Sequence, residues 1–193
     1  MNENEVVLIQ PPIPKSIQKE YISVQMPINL GYIASSLIQC QAKVTINDFV
    51  INLYNKEFFL DRLKEKQPIL VGFTSVTCSI PFVNLISKHV KMFNPKIHTV
   101  LGGAHASSLP LETLSELKCI DFIVVGEGEI TIKELYKEIL GNQDYHMVKG
   151  IAFRDKDTGE PFITPKRELI NDLDAIDFNA FDLFEVEKYR RAH

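Results

Sequence analysis

Four short segments of the 193-residue chain concentrate the residue types that hold or transform a ligand, and each directly follows a run of apolar residues. The first is Gln10-Pro11-Pro12-Ile13-Pro14, where three closely spaced prolines fix an extended, donor-poor loop that can form a rigid wall. It carries no histidine, acid or glycine-rich phosphate cradle. The second, Thr74-Ser75-Val76-Thr77-Cys78-Ser79, offers four hydroxyls and a thiol just ahead of Pro81. Backbone N–H groups at a helix start, joined by short hydroxyls, suit a phosphate or an amide-rich ligand. Ser79 as a plain N-cap before the proline is the structural alternative, although one cap needs only one hydroxyl.

The third segment is Gly102-Gly103-Ala104-His105-Ala106-Ser107. Adjacent glycines remove the Cβ atoms that would keep a flat or bulky ligand off a strand tip, and they permit positive φ. His105 reads as a metal ligand, a hydrogen-bond donor to a ligand, or an ordinary loop histidine; a lone histidine makes the metal the weakest of the three. The fourth segment, Gly126-Glu127-Gly128-Glu129-Ile130-Thr131, begins like a dinucleotide fingerprint, but Thr131 stands in place of the third glycine. Glu129 suits the positive end of a helix dipole, and the glycines around Glu127 allow close backbone approach. Together the segments describe a wide site of backbone and hydroxyl groups with no nucleophile–base pair, the site of a holder.

These segments need strands and helices to bring them to one rim. Strands are predicted over Val6–Gln10, Val44–Val50, Ile69–Ser75, Ile97–Leu101 and Phe122–Gly126, several of them continuous apolar runs as expected for strands buried on both faces. Between them, Leu30/Ile33/Ala34/Leu37/Ile38, Phe82/Leu85/Ile86/His89/Val90 and Ile132/Leu135/Tyr136/Ile139/Leu140 follow helical spacing. Lys56–Lys66 and Leu109–Leu117 read as weaker or shorter helices. The alternation predicts an α/β fold: a doubly wound, Rossmann- or flavodoxin-like, five-stranded parallel sheet over residues 1–141, with ligands at the carboxyl ends of the strands. A turn at Asp157-Thr158-Gly159 predicts a small β-hairpin extension within 142–170. The stretch 171–193 has scattered aromatics and no closing strand, so it reads as a linker or docking segment.

Composition narrows the partners. Twenty-five acids against 21 bases give a net charge of −4, so no basic field points to nucleic acid or an anionic membrane. Residues 154–187 alone hold ten acids and four bases. The acidic start Met1-Asn2-Glu3-Asn4-Glu5 does not resemble a secretory signal, and no apolar run approaches the roughly 18 residues of a membrane span, so a cytoplasmic location is expected. Cys40, Cys78 and Cys119 lie far apart and suggest neither a disulfide framework nor a zinc site.

The order Val7-Leu8-Ile9-Gln10-Pro11-Pro12, Pro27-Ile28-Asn29-Leu30-Gly31-Tyr32-Ile33-Ala34, Val71-Gly72-Phe73-Thr74-Ser75, Gly102-Gly103-Ala104-His105-Ala106-Ser107 and Val125-Gly126-Glu127-Gly128-Glu129 resembles the N-terminal cobalamin-binding domain of cobalamin-dependent radical SAM enzymes. The likeness runs from about residue 6 to about residue 178. It implies that Thr74, Ser75, Val76 and Thr77, with Gly102 and Gly103, accommodate the cobalamin nucleotide tail, and that Gly126, Glu127 and Gly128 close over it. Pro11, Pro12 and the Asn29-Leu30-Gly31 turn would face the corrin ring, and His105 is counted among the cofactor-binding residues. The DxHxxG motif of methyl-carrier domains is not found after the first strand, which implies base-off cobalamin with no histidine on its lower face.

The resemblance further implies a partner radical SAM domain beyond the 171–193 linker, holding a [4Fe-4S] cluster and S-adenosylmethionine on a CxxxCxxC motif that the three cysteines here cannot form. The chain is then expected to serve methyl transfer or a radical rearrangement in a longer enzyme and to be inactive alone. Two other readings stay open: a nucleotide- or flavin-binding flavodoxin-like protein using Thr74–Ser79 as its phosphate loop, and a degenerate docking domain without cofactor that uses the acidic tail.

Overall fold

The apolar run Val6-Val7-Leu8-Ile9 forms the body of β1 (Glu5–Gln10) and is buried from both sides. A strand covered on both faces needs no polar alternation, which is why it reads as a continuous run. In the computed structural model, which describes residues 4–14, 17, 24–178 and 180–191, β1 lies between β2 (Lys43–Asp48) and β3 (Leu70–Thr74). Beyond β3 come β4 (His98–Gly102) and β5 (Phe122–Val124), and all five strands pair in parallel. These are the five strands expected from the sequence.

The sheet does not end there. Strands β6 (Ile151–Arg154) and β7 (Pro161–Ile163) add to its edge in antiparallel fashion, giving seven strands in the order β2-β1-β3-β4-β5-β6-β7. The five-stranded expectation is corrected to that extent. The hairpin reads as a polar appendage because Phe162 and Ile163 on the outermost strand are exposed, yet Ile151, Ala152 and Phe153 are buried as deeply as any core strand. Its turn forms where expected, with Gly159 at φ +73° and Asp155 Oδ1 accepting from the N–H groups of Asp157 and Thr158.

Helices cover both faces. On one side α1 (Ile28–Gln39) and the helix over Glu129–Leu140 pack Leu30, Ala34, Ile132 and Leu135 against Leu8 and Val100. On the other, α2 (Lys56–Lys66) and α3 (Ile80–Phe93) pack Phe59, Val83 and Ile86 against Ile9, Val71 and Phe73. Two short helices follow β4, α4 (Ala104–Ser108) and α5 (Pro110–Glu116), so the Glu129–Leu140 helix is α6. The weakly patterned α2 is started by Asn55, whose side chain accepts from the Phe58 N–H at 2.9 Å.

After Thr164 the chain crosses back toward β2. Ala180 is fully buried, Phe184 and Tyr189 nearly so, and a short helix α7 (Val186–Arg191) ends the described chain. Gly31 makes room for this return: a Cβ there would lie 2.5 Å from Phe178 Cε2 and 3.1 Å from Phe184 Cε2. The Tyr189 hydroxyl donates to buried Asp48 at 2.6 Å, and burial raises the pKa of both groups. Phe178, Phe184 and Tyr189 of the tail are therefore packing residues, while Phe181 is exposed. Asn179, in the segment Asp177-Phe178-Asn179-Ala180, lies outside the described residues, as do Met1–Glu3, Ala192 and His193. No helix among the described residues is long and apolar enough to cross a membrane.

Candidate functional site

Strand register decides what the rim looks like. Gly72 of β3 sits between Leu8 of β1 and Val100 of β4, and two residues further along, Thr74 pairs with Gly102. Because side chains alternate at every residue, these positions face the same side of the sheet, toward α1 and α6. A cleft of about 170 Å³ opens there, between the carboxyl ends of β3–β5 and the two helices. Its sheet floor is Leu8, Gly72, Val100 and Val124, and Ile33 and Ile132 close it from the helices. At its mouth stand Asn29, Thr74, Gly102, Gly103 and the loop Gly126-Glu127-Gly128 with Glu129.

Glycine keeps this space open at two positions. A Cβ on Gly72 would come within 2.8 Å of Leu8 Cδ2, and one on Gly128 within 2.8 Å of Ile33 Cδ1. Gly103 has a different requirement. It has φ +98°, and a Cβ there would meet Ser75 O at 2.6 Å and Ser75 N at 2.7 Å, so its missing side chain lets β3 and β4 approach as well as shaping the mouth.

Of the residues singled out from the sequence, Leu30, Thr74, Gly102, Gly103, Gly126, Glu127 and Gly128 are brought together on the cleft. The others lie around it. Gly31 faces Phe178 and Phe184. Buried Pro11 and half-buried Pro12 follow β1 outside the lining, and Ser75 is buried beneath the mouth. Val76 and Thr77 are exposed on the turn that precedes α3. Leu30 and Gly31 stand in the first turn of α1, with Asn29 just before them.

The surplus of hydroxyls after β3 has protein partners. Thr74 Oγ1 accepts from Asn29 Nδ2 at 2.9 Å, Ser75 Oγ donates to Gly102 O at 2.8 Å, and Thr77 Oγ1 lies 3.2 Å from His105 Nδ1. Ser79 precedes α3, but its hydroxyl donates back to Val76 O rather than capping the helix. These bonds tie the rim of β3 to α1 and to the β4 loop. In the fourth segment, Glu127 Oε2 accepts from the Ile170 N–H at 2.7 Å, and the Gly126 N–H donates to Ser107 Oγ at 3.0 Å. Glu129 Oε2 is buried with no hydrogen-bond partner among the described residues, at the first turn of α6 and beside the cleft. A carboxylate oxygen in that state is an open acceptor for a ligand N–H.

Residues that the sequence reading passed over supply the floor: Leu8, Ile33, Gly72, Val100, Val124 and Ile132. Gly72 carried a usable signal, since a single glycine inside a buried strand marks a place where another group comes close. The aliphatic positions carried none, because a cleft-lining valine and a core valine look alike in one sequence.

A parallel-dominated sheet of order 2-1-3-4-5 with a mostly apolar cleft at its carboxyl end defines a flavodoxin-like, ligand-holding α/β domain. Residues 20–136 match the B12 binding domain family, and the chain belongs to it. It is 28% identical over 190 residues to an uncharacterized methyltransferase, PH0819, of Pyrococcus horikoshii, a match covering 98% of this chain and 41% of the relative. It is 35% identical over 136 residues to an anaerobic magnesium-protoporphyrin IX monomethyl ester cyclase of Rubrivivax gelatinosus, covering 67% of this chain and 24% of the cyclase. Two solved structures share the fold: the cobalamin-dependent S-adenosylmethionine radical enzyme OxsB with aqua-cobalamin bound (TM-score 0.76, 19% identity, 98% of this chain and 25% of that one), and the radical S-adenosylmethionine methyltransferase TsrM of Kitasatospora setae with cobalamin and a [4Fe-4S] cluster bound (TM-score 0.72, 18% identity, 90% and 31%). The chain thus spans less than half the length of these relatives. The resemblance to the cobalamin-binding domain of radical SAM enzymes, with cobalamin as its cofactor, is borne out.

Proposed function

We propose that this chain holds cobalamin base-off, with no histidine on the cobalt's lower face, as the cofactor-binding part of a longer radical SAM enzyme. The observation that carries the reading is the cleft beneath Gly102 and Gly103, an apolar slot with polar groups only at its mouth. Thr74, Gly102, Gly103 and the Gly126-Glu127-Gly128 loop would hold the nucleotide tail, and Glu129 offers an unused acceptor for an amide N–H. The absence of a histidine from the sequence between Gln10 and Leu30 supports the lack of an imidazole ligand. Cobalamin, when bound, supplies a carrier for a methyl group or a partner for a radical.

The reaction itself belongs to the rest of the enzyme, and the relatives named as a methyltransferase and a cyclase support methyl transfer or a radical rearrangement. In this reading residues 1–141 bind the cofactor, 142–170 form the hairpin extension, and 171–193 lead toward a radical SAM domain that binds the iron–sulfur cluster and S-adenosylmethionine. The purified chain should be catalytically silent. Mixed with hydroxocobalamin and passed through gel filtration, it should retain the pigment with a base-off spectrum, and its Co(II) form should show no nitrogen hyperfine splitting from the protein. A colourless protein peak, or such splitting, overturns the reading; a thermal shift with FMN instead would favour the flavin alternative.

A further inference from the structure

Resting on the cobalamin reading, we infer that the inner end of the cleft selects the kind of base on the nucleotide tail, favouring a carbon-rich benzimidazole over a purine, and that Gly72 sets the depth to which the base can enter. The cleft has two levels. Gly72 lies two residues below Thr74 in β3, roughly 6.6 Å further from the rim at the usual rise per strand residue. At the upper level, beside Val124, stand the polar groups: Asn29 bonded to Thr74, Glu127, and Glu129 with its unpartnered oxygen.

At the lower level Leu8, Gly72 and Val100 line the sheet side, faced by Ile33 and Ile132, and none of these side chains carries a nitrogen or oxygen. The backbone offers nothing in their place, because the register pairs Leu8, Gly72 and Val100 within the β1–β3–β4 ladder. A purine entering this level would bury an amine and several ring nitrogens without a partner, whereas a benzimidazole buries one free ring nitrogen among methyl and ring carbons. The cleft, polar mouth included, has about 170 Å³, and an apolar cavity of roughly 150 Å³ accepts an aromatic ring.

Gly72 is the determinant because every other lower-level position already carries a branched aliphatic chain. A methyl on Gly72 would stand 2.8 Å from Leu8 Cδ2, the mobile end of a side chain that also lines the cleft, so its displacement narrows the slot from the floor.

The test measures dissociation constants of the purified chain for three corrinoids: cobalamin, its adenine-base analogue, and cobinamide, which has no nucleotide tail. Cobalamin should bind at least tenfold more tightly than the adenine analogue. Gly72→Val should lose tenfold or more in affinity for cobalamin while cobinamide binding stays within twofold. Gly72→Ala, the smaller change, should show the same order with a lesser loss. Equal binding of the two bases by the unmodified chain, which needs no variant to fold, overturns the inference while leaving the cobalamin reading standing. An equal loss of cobinamide and cobalamin in a Gly72 variant that still melts cooperatively overturns the role of Gly72. Failure of the unmodified chain to bind any of the three overturns the cobalamin reading itself.

Discussion

Replacing Gly103 with alanine should unsettle the fold, whereas the same change one residue earlier should not. At Gly103 the backbone has φ +98°, and the new methyl would sit 2.6 Å and 2.7 Å from Ser75 O and N, atoms of a neighbouring backbone that cannot rotate aside. Holding a non-glycine residue in that conformation costs roughly 1–3 kcal/mol. Displacing packed neighbours adds a cost of similar size, roughly 1–3 kcal/mol. The sum, about 2–6 kcal/mol, corresponds to a fall in Tm of about 5–20 °C for a domain of this length. At Gly102 the nearest atom to a new Cβ is Val124 Cβ at 4.0 Å, an ordinary contact, and φ is not positive. Gly102→Ala should therefore melt within about 2 °C of the parent, the range of a neutral substitution. Differential scanning fluorimetry on the three proteins decides it. A Gly103→Ala protein that melts within 2 °C of the parent, or a Gly102→Ala protein that falls as far as Gly103→Ala, would refute the reasoning.

Two further perturbations probe other parts of the molecule. Tyr189→Phe removes a donor from buried Asp48, which keeps the Val50 N–H at 2.8 Å, so urea unfolding should show a loss of about 1–3 kcal/mol; a loss below about 0.5 kcal/mol would mean the tail is held by its aromatic contacts alone. Burial, reinforced by Lys91 and Lys156 and opposed by Asp121, lowers the pKa of His98. The unfolded chain then binds the proton first as pH falls, so this contribution is present above 6.5 and is lost as pH drops through the lower folded-state value. His98→Gln should flatten the decline of Tm between pH 7.5 and 5, and an unchanged slope would count against it.

Much of the molecule could be read from its residues, for reasons that are physical. Five strands were visible because burial on both faces leaves apolar runs such as Ile123-Val124, and α1, α3 and α6 because each has one apolar stripe. The rim was visible as clusters of glycines and short hydroxyls after three of the strands. What could not be read was the assignment of polar groups. Four hydroxyls after β3 look like surplus until Asn29, Gly102 and His105 come near them, and those contacts join residues 27–45 positions apart. The cleft floor was hidden by its chemistry, since Val100 and Val124 have the same side chain whether they face a core or a slot. The packing of the tail was equally hidden, because the space for Phe178 is made by a glycine about 150 residues earlier.

The antiparallel hairpin has a topological consequence. Because β6 descends and β7 climbs, an even count of added strands restores the direction of travel, and the polypeptide emerges at the same end of the sheet that it left after β5. Between β6 and β7 there is only the turn, with no helix. The emerging strap meets the entrance at once, where Ile170 grips the Glu127 carboxylate, and is then moored at the far edge by Tyr189 on Asp48. The Glu127 loop and the β2 edge, on opposite sides of the sheet, are thereby held by one and the same segment of chain.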